Sequence, residues 1–212
     1  MELILHDYWR SSAAYRVRIA LNLAALNYER SVVDLLNADH KDESFIALNP
    51  QGLVPALAID GHVLSQSLAI IEYLSETRNL GLIPDHPMER WRVRAITYCI
   101  AMEIHPICNL SVSQLVHELS ERKISIKEWM HEFIPKGLAA VERYLGHSET
   151  GKYCHGDSVS MADVCLVPQV YNAKRWDISL TKYPIISQIT SRLEKLDEFQ
   201  RAHPNNFKPK EI

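Results

Sequence analysis

A change of pattern near residue 80 constrains this 212-residue chain most. Before it, short apolar runs alternate with helical patterns. After it, almost every stretch is helical. Leu3-Ile4-Leu5 reads as a short buried strand. Ser11 to Leu26 reads as a helix, with Val17, Ala20, Leu21 and Ala24 on one face and Arg16, Arg18 and Asn22 off it. Ser31 to Leu35 reads as a second strand, which a helical crossover makes parallel to the first. A short helix is expected from Glu43 to Leu48, then a strand from Val54 to Ile59. Asp60-Gly61 signals a tight turn, so His62-Val63-Leu64 returns antiparallel. Ser67 to Thr77 closes the series as a helix with Leu68, Ile71 and Leu74 on its apolar face.

This order, βαβ followed by ββα, is that of a thioredoxin-like domain, expected over residues 1–80. Gly81, Pro84 and Pro87 break the pattern, and 81–88 is expected as a linker. Residues 89–212 are expected as an all-helical domain. Its helical spans lie near 88–120, 125–146, 160–171 and 184–200, the first bent at Pro106. The fold class is α/β plus all-α.

The net charge is −3, and no basic run occurs in either part. Nothing global draws the chain to nucleic acid. An anionic ligand must therefore be held by a few placed groups. The cysteines, Cys99, Cys108, Cys154 and Cys165, show no CxxC spacing. Buried thiols in a reducing compartment are expected. The N-terminus lacks the basic and apolar regions of a signal peptide, and no run approaches the ~18 apolar residues of a membrane span. The cytoplasm is the expected location. Ten histidines are scattered without the spacing of a metal site, so no metal is expected.

Four places are candidates, three of them for chemistry. In Tyr8-Trp9-Arg10-Ser11-Ser12, the serines sit where the first helix begins. One of them is either a plain N-cap or a hydroxyl beside an anion, such as a thiolate, at the helix N-terminus. In Asn49-Pro50-Gln51-Gly52-Leu53-Val54-Pro55, the last bond is a candidate cis peptide. There the Val54 main chain would be free to pair with an extended peptide. Ser65-Gln66-Ser67 precedes the next helix, as a cap or as a grip on a carboxylate. Ser160-Met161-Ala162-Asp163 reads as a structural capping box with Asp in place of Glu or Gln.

The run Ser11-Ser12-Ala13-Ala14-Tyr15-Arg16-Val17-Arg18-Ile19-Ala20-Leu21 closely resembles the signature of zeta-class glutathione transferases, the maleylacetoacetate isomerase family. Asn49-Pro50, Val54-Pro55 and Gln66 to Leu74 resemble the glutathione site of that class. Asn109 to Val112 and Met161 to Arg175 continue the match over nearly the whole chain.

The resemblance implies glutathione as cofactor, a small dicarboxylate substrate and a homodimer. The implied activity is cis–trans isomerisation of maleylacetoacetate in tyrosine and phenylalanine breakdown, by reversible thiolate addition to the double bond. Carried over by position, Ser11 or Ser12 would support the thiol. His40, Val54, Gln66, Ser67, His105, Asn109 and Ser111 would line or hold glutathione. Arg10 and Arg175 would face the substrate carboxylates. The family usually has Cys at the position of Ala13 and Trp at that of Tyr15. The setting of His105 resembles bacterial maleylpyruvate isomerases. A maleylpyruvate isomerase, a general glutathione transferase and a non-catalytic binding module are the alternatives. The last should lack the thiol-supporting Ser or the Gln66-Ser67 pair.

Overall fold

The computed structural model describes residues 3–209. The chain forms two compact units. One runs up to Gly81 and resumes at Lys195; the other is Leu82–Glu194.

The first unit is built on a four-stranded sheet of order β2-β1-β3-β4. Strand β1 (Ile4–Asp7) leads into α1 (Ser12–Leu23), which returns the chain to β2 (Glu29–Val32). β1 and β2 pair in parallel, as the crossover requires. After α2 (Glu43–Leu48) come β3 (Ala56–Ile59), β4 (His62–Ser65) and α3 (Ser67–Thr77). The βαβ–ββα order is the expected one. β3 starts at Ala56 rather than Val54 because Pro55 has no N–H for the ladder. Asp60 and Gly61 both have positive φ, 49° and 88°, which suits the tight hairpin joining β3 to β4. α1 ends at Leu23, short of Leu26, where Ala25 turns left-handed at φ 52°.

Buried Leu5, Leu57 and Ile59 of the sheet, Val17 and Leu21 of α1, and Ile70, Ile71 and Leu74 of α3 form the core of this unit. Arg16 and Arg18 lie off the apolar face of α1, yet they are only 2% and 0% exposed. α1 packs against α3 and also against α10 (Asp197–Ala202), so its polar side is covered too. The Arg18 charge is matched inside. Arg18 pairs with fully buried Asp7 at 2.7 Å, and Arg30 adds a second ion pair to Asp7 at 2.7 Å. Burial at this depth requires such partners.

The expected domain limits change at the C-terminal end. Residues from Lys195 onward belong with the first unit, not with the helices of 89–194. The asparagine Nδ2 of Asn22 donates to the Glu198 carbonyl at 2.8 Å, while Phe199 and Ala202 are buried. The expected linker is also shorter in the structure. Leu82 is buried and accepts a bond from the Met161 N–H, and Pro87 already opens α4.

The second unit contains α4 (Pro87–Tyr98), a π-helical stretch at Cys99–Ile104, α5 (His105–Ile107), α6 (Leu110–Leu119), α7 (Ile126–Leu145), α8 (Met161–Arg175) and α9 (Pro184–Leu193). The expected 88–120 helix is broken rather than bent, since Asn109 caps a new helix by accepting from the Ser111 N–H. Gly137 on α7 admits the π stretch; a Cβ there would overlap Ile104. The expected 184–200 helix is interrupted after Leu193 and restarts at Asp197.

Contrary to the sequence expectation, Pro87–Leu119 is long and apolar enough to cross a membrane by length and composition. Within this unit the run is interrupted at Asn109 and carries buried Arg92. That guanidinium donates to the carbonyls of Cys154 and Tyr144 and to the Thr150 hydroxyl, at 2.6–3.1 Å. This is the bonding of a helix packed in protein.

α8 is the buried helix of this unit. The expected capping box is present: Asp163 accepts from the Ser160 N–H and Oγ–H and from the Cys154 N–H. Burial holds the Asp163 carboxyl above its usual range, opposed by these donors.

Candidate functional site

Sheet register gathers three loops of the first unit. His6 near the end of β1 lies opposite Ala56 at the start of β3, and Ala56 lies opposite Ser65 at the end of β4. The turn 8–11, the loop 49–55 and the Gln66-Ser67 step therefore emerge side by side at one end of the sheet.

Ser11 is the N-cap of α1, and its Oγ accepts from the Ala14 N–H at 3.2 Å. Capping uses the oxygen's lone pair and leaves the hydroxyl proton to donate outward. The cap and the anion support are thus compatible in one residue. Ser12 is the first helical residue and is 9% exposed. Arg10 is half-buried, with its guanidinium 5.1 Å from the Trp9 ring centroid and a bond to the Tyr8 hydroxyl at 3.3 Å. Stacking holds this long side chain in place.

The Val54–Pro55 bond is cis. The loop before it is shaped by Asn49, whose Nδ2 donates to the Leu53 carbonyl at 2.6 Å. Among the described residues, neither the N–H nor the C=O of Val54 has a main-chain hydrogen bond. Gly52 has φ +60°, and a Cβ there would lie 2.9 Å from the His40 carbonyl oxygen. The glycine lets the loop sit against the His40 turn. His40 Nδ1 is buried without a hydrogen-bond partner among the described residues.

Gln66 has φ 67° and ψ 106°, a strained backbone for a residue with a side chain. Its Nε2 donates to Gln51 Oε1 at 2.5 Å, tying the start of α3 to the 49–55 loop. Gln66 gives α3 no side-chain cap, so the N–H groups of the first turn lack that partner. Buried Ser67 accepts from Arg16 Nη1 at 3.3 Å, which links α3 to α1. Sequence reasoning missed the roles of Gln51, Gly52 and Arg16; only the Gly in Gln51-Gly52-Leu53 offered a signal.

The remaining expected residues belong to the second unit. His105 opens α5, directly after the π stretch, and is half-buried. Asn109 Oδ1 accepts from the Ser111 N–H at 3.3 Å, and Ser111 is exposed. Arg175 ends α8, exposed, with Nη1 3.5 Å from Asn172 Oδ1. Asn109 therefore has a capping role whatever else it does.

Burial pushes the Cys108 thiol up to about 11 and raises those of Cys99 and Cys154. None of these three is poised as a nucleophile near neutral pH. Among the described residues, no three His, Cys, Asp or Glu side chains form a metal-binding group.

The sheet, its three converging loops and the helical second unit define a two-part architecture of known kind. The glutathione S-transferase N-terminal domain matches residues 10–77, and the glutathione S-transferase C-terminal domain matches residues 108–201. The chain belongs to the glutathione S-transferase family. It is 55% identical over 210 residues to the maleylacetoacetate isomerase of Rhizobium meliloti (strain 1021), covering 98% of this chain and 99% of that one. A bacterial maleyl pyruvate isomerase of the zeta class, solved in its holo form, superposes with a TM-score of 0.93 at 38% identity. That match covers 99% of this chain and 100% of the other. The maleylacetoacetate isomerase of Methylobacterium extorquens AM1, solved with malonate and GSH bound, gives a TM-score of 0.91 at 38% identity, over 97% of this chain and 98% of that one.

Proposed function

We propose that this protein is a glutathione-dependent cis–trans isomerase that converts maleylacetoacetate to fumarylacetoacetate in tyrosine and phenylalanine breakdown. The observation that carries the reading is the capped α1 N-terminus, where the Ser11 oxygen accepts from the Ala14 N–H and is left a hydroxyl proton to donate. The first unit fits glutathione on its own geometry. Val54 offers an unpaired main chain to a peptide, Gln66, Ser67 and the α3 N-terminus suit a carboxylate, and His40 Nδ1 is a buried polar atom in need of a partner. His105, Asn109 and Ser111 are assigned to glutathione from the family match. When bound, glutathione supplies the sulfur that adds reversibly to the double bond and so permits rotation.

This chain's residues make that sulfur an anion and hold the substrate. Lowering a thiol pKa by two requires ~2.7 kcal/mol. A Ser11 hydroxyl donated to the anion contributes ~1.5–3 kcal/mol, and the helix N-terminus ~0.3–1 kcal/mol. Together they supply about 1.8–4 kcal/mol, a range that includes the requirement, without a general base. Ser12 stands as the alternative donor. Arg10 and Arg175 each offer a guanidinium to a substrate carboxylate. Arg175→Ala is expected to raise the substrate KM about tenfold or more with a smaller change in kcat, as loss of a charged hydrogen bond does. An unchanged KM would remove Arg175 from the site.

Maleylpyruvate is the second reading of the substrate, favoured by the similarity to the maleyl pyruvate isomerase structure. The deciding experiment follows each substrate separately with and without glutathione. Turnover of maleylacetoacetate only in the presence of glutathione supports the proposal. Turnover of maleylpyruvate instead selects the second reading, and turnover of neither leaves a transferase or a binding module.

The protein is further proposed to act as a homodimer in the cytoplasm. Met88, Trp91, Tyr98 and Met102 recur along one side of α4 and the π stretch and are 63%, 58%, 38% and 56% exposed. Pro87, Arg90, Trp91, Arg94, Ala95 and Tyr98 line a depression of about 340 Å³ there. An apolar face of this kind suits a second copy. Sedimentation should give twice the 24.3 kDa chain mass, and Trp91→Glu should give the single chain. The four free cysteines suit a reducing compartment.

A further inference from the structure

Arg18 takes no part in the chemistry above, yet its guanidinium joins three segments of the first unit. Nη1 donates to both carboxylate oxygens of Asp7, at 2.7 and 2.8 Å. Nη2 donates to the Trp9 carbonyl at 3.1 Å. Nε donates to the Ala202 carbonyl at 3.1 Å. The guanidinium also lies 4.6 Å from the Phe207 ring centroid and 5.4 Å from that of Tyr15. Arg30 repeats the pattern from β2, with Nε on Asp7 at 2.7 Å and Nη1 on the Phe207 carbonyl at 3.3 Å. Its guanidinium is 5.3 Å from the same ring centroid.

These contacts have a direction. Asp7 is the last residue of β1, and Trp9 lies two residues before Ser11 in the turn. Arg10 stacks on Trp9. A planar fork with fixed donor directions sets the Trp9 carbonyl relative to the Asp7 carboxylate. The Phe207 ring and the Ala202 carbonyl contact the same fork from the C-terminal segment. Displacement of Trp9 would carry both Arg10 and the Ser11 hydroxyl with it. Hydrogen bonds to a reacting atom weaken steeply with misplacement.

We infer that Arg18 is a positioning residue for the Ser11 turn, and that the C-terminal segment from Asp197 to Phe207 is the brace that holds it. The inference rests on the reading of Ser11 as the hydroxyl beside the thiol. It adds that the activity of this turn depends on a segment nearly 200 residues away in sequence.

The test uses the full chain with Phe207→Ala, Arg18→Lys and Ser11→Ala. For each variant, the pKa of bound glutathione is titrated by the ultraviolet absorbance of its thiolate. Glutathione affinity, kcat against pH and melting temperature are measured alongside. Phe207→Ala removes a ring and no hydrogen-bond donor, so the fold should survive even where Arg18→Lys does not. Phe207→Ala is expected to keep glutathione affinity within about twofold and to raise the bound thiol pKa by about 0.5–1. Below that pKa, turnover should fall about three- to tenfold and return to the wild-type level well above it. Arg18→Lys, with one ammonium in place of the fork, should shift the thiol further. A lower melting temperature with an unmoved thiol pKa in Phe207→Ala would make the cluster purely structural and overturn the inference. If Ser11→Ala itself leaves the thiol pKa unmoved, the reading of Ser11 fails instead, and the two failures are told apart.

Discussion

Asp163→Ala is expected to lower the melting temperature by about 10 °C or more, the largest stability loss of any single change considered. The carboxylate is fully buried and accepts from three donors: the Cys154 N–H, the Ser160 N–H and the Ser160 Oγ–H. Alanine leaves these groups without an acceptor where water is excluded. Each unsatisfied group costs ~1–3 kcal/mol, so a total of ~3–5 kcal/mol is expected after partial relaxation. In a chain of this size, 1 kcal/mol corresponds to ~2–4 °C. Asp163→Asn should recover only part of the loss, because its amide turns one acceptor into a donor facing another N–H.

The pH dependence has a definite sign. Burial raises the folded-state pKa of Asp163 above its ordinary value. The carboxyl's contribution is therefore fully present below about pH 4 and falls as pH rises through the raised value, since the folded chain keeps a proton that the unfolded chain releases. The gap between wild type and Asp163→Ala should narrow across that window. Calorimetric scans at several pH values measure both effects. A loss under about 3 °C would mean that the Cys154 and Ser160 donors find other acceptors.

Ser11→Ala should lower turnover about ten- to a hundredfold while glutathione still binds. The hydroxyl's ~1.5–3 kcal/mol on the anion, at 1.36 kcal/mol per tenfold, sets that range. Alanine also removes the cap on Ala14, which costs ~1 kcal/mol of stability. Ser11→Gly separates the two effects, because glycine at an N-cap loses only a few tenths of a kcal/mol. Equal loss of turnover in both variants, with the melting temperature lowered only in alanine, assigns the effect to the hydroxyl. Full activity in both would move the role to Ser12.

Local signals in the chain were strong where the physics is local. Apolar periodicity marked α3 to the residue, and Asp60-Gly61 marked the hairpin. The serine start of α1 and the Ser160–Asp163 box were visible because caps lie within four residues of their partners. The loop at Val54–Pro55 and the Gln66-Ser67 step were visible as segments, and the family resemblance tied them to one cofactor.

Other features depend on distant partners. Periodicity placed Arg18 off the apolar face of α1, and nothing near it in sequence reports that α10 covers that side. A buried arginine is tolerated only when its partners arrive, and here they come from Asp7, Trp9 and Ala202. The same contacts moved residues from Lys195 onward into the first unit, against their position in the chain. The strained Gln66 backbone and its bond to Gln51 likewise exist only once β3 and β4 pair in register. By itself, then, the sequence determined the order of elements in the first unit and the residue types at the candidate site, because short-range periodicity and capping specify these. The tertiary structure alone decided which charges are buried, which segments brace the Ser11 turn and where the units divide, because long-range packing brings their partners together.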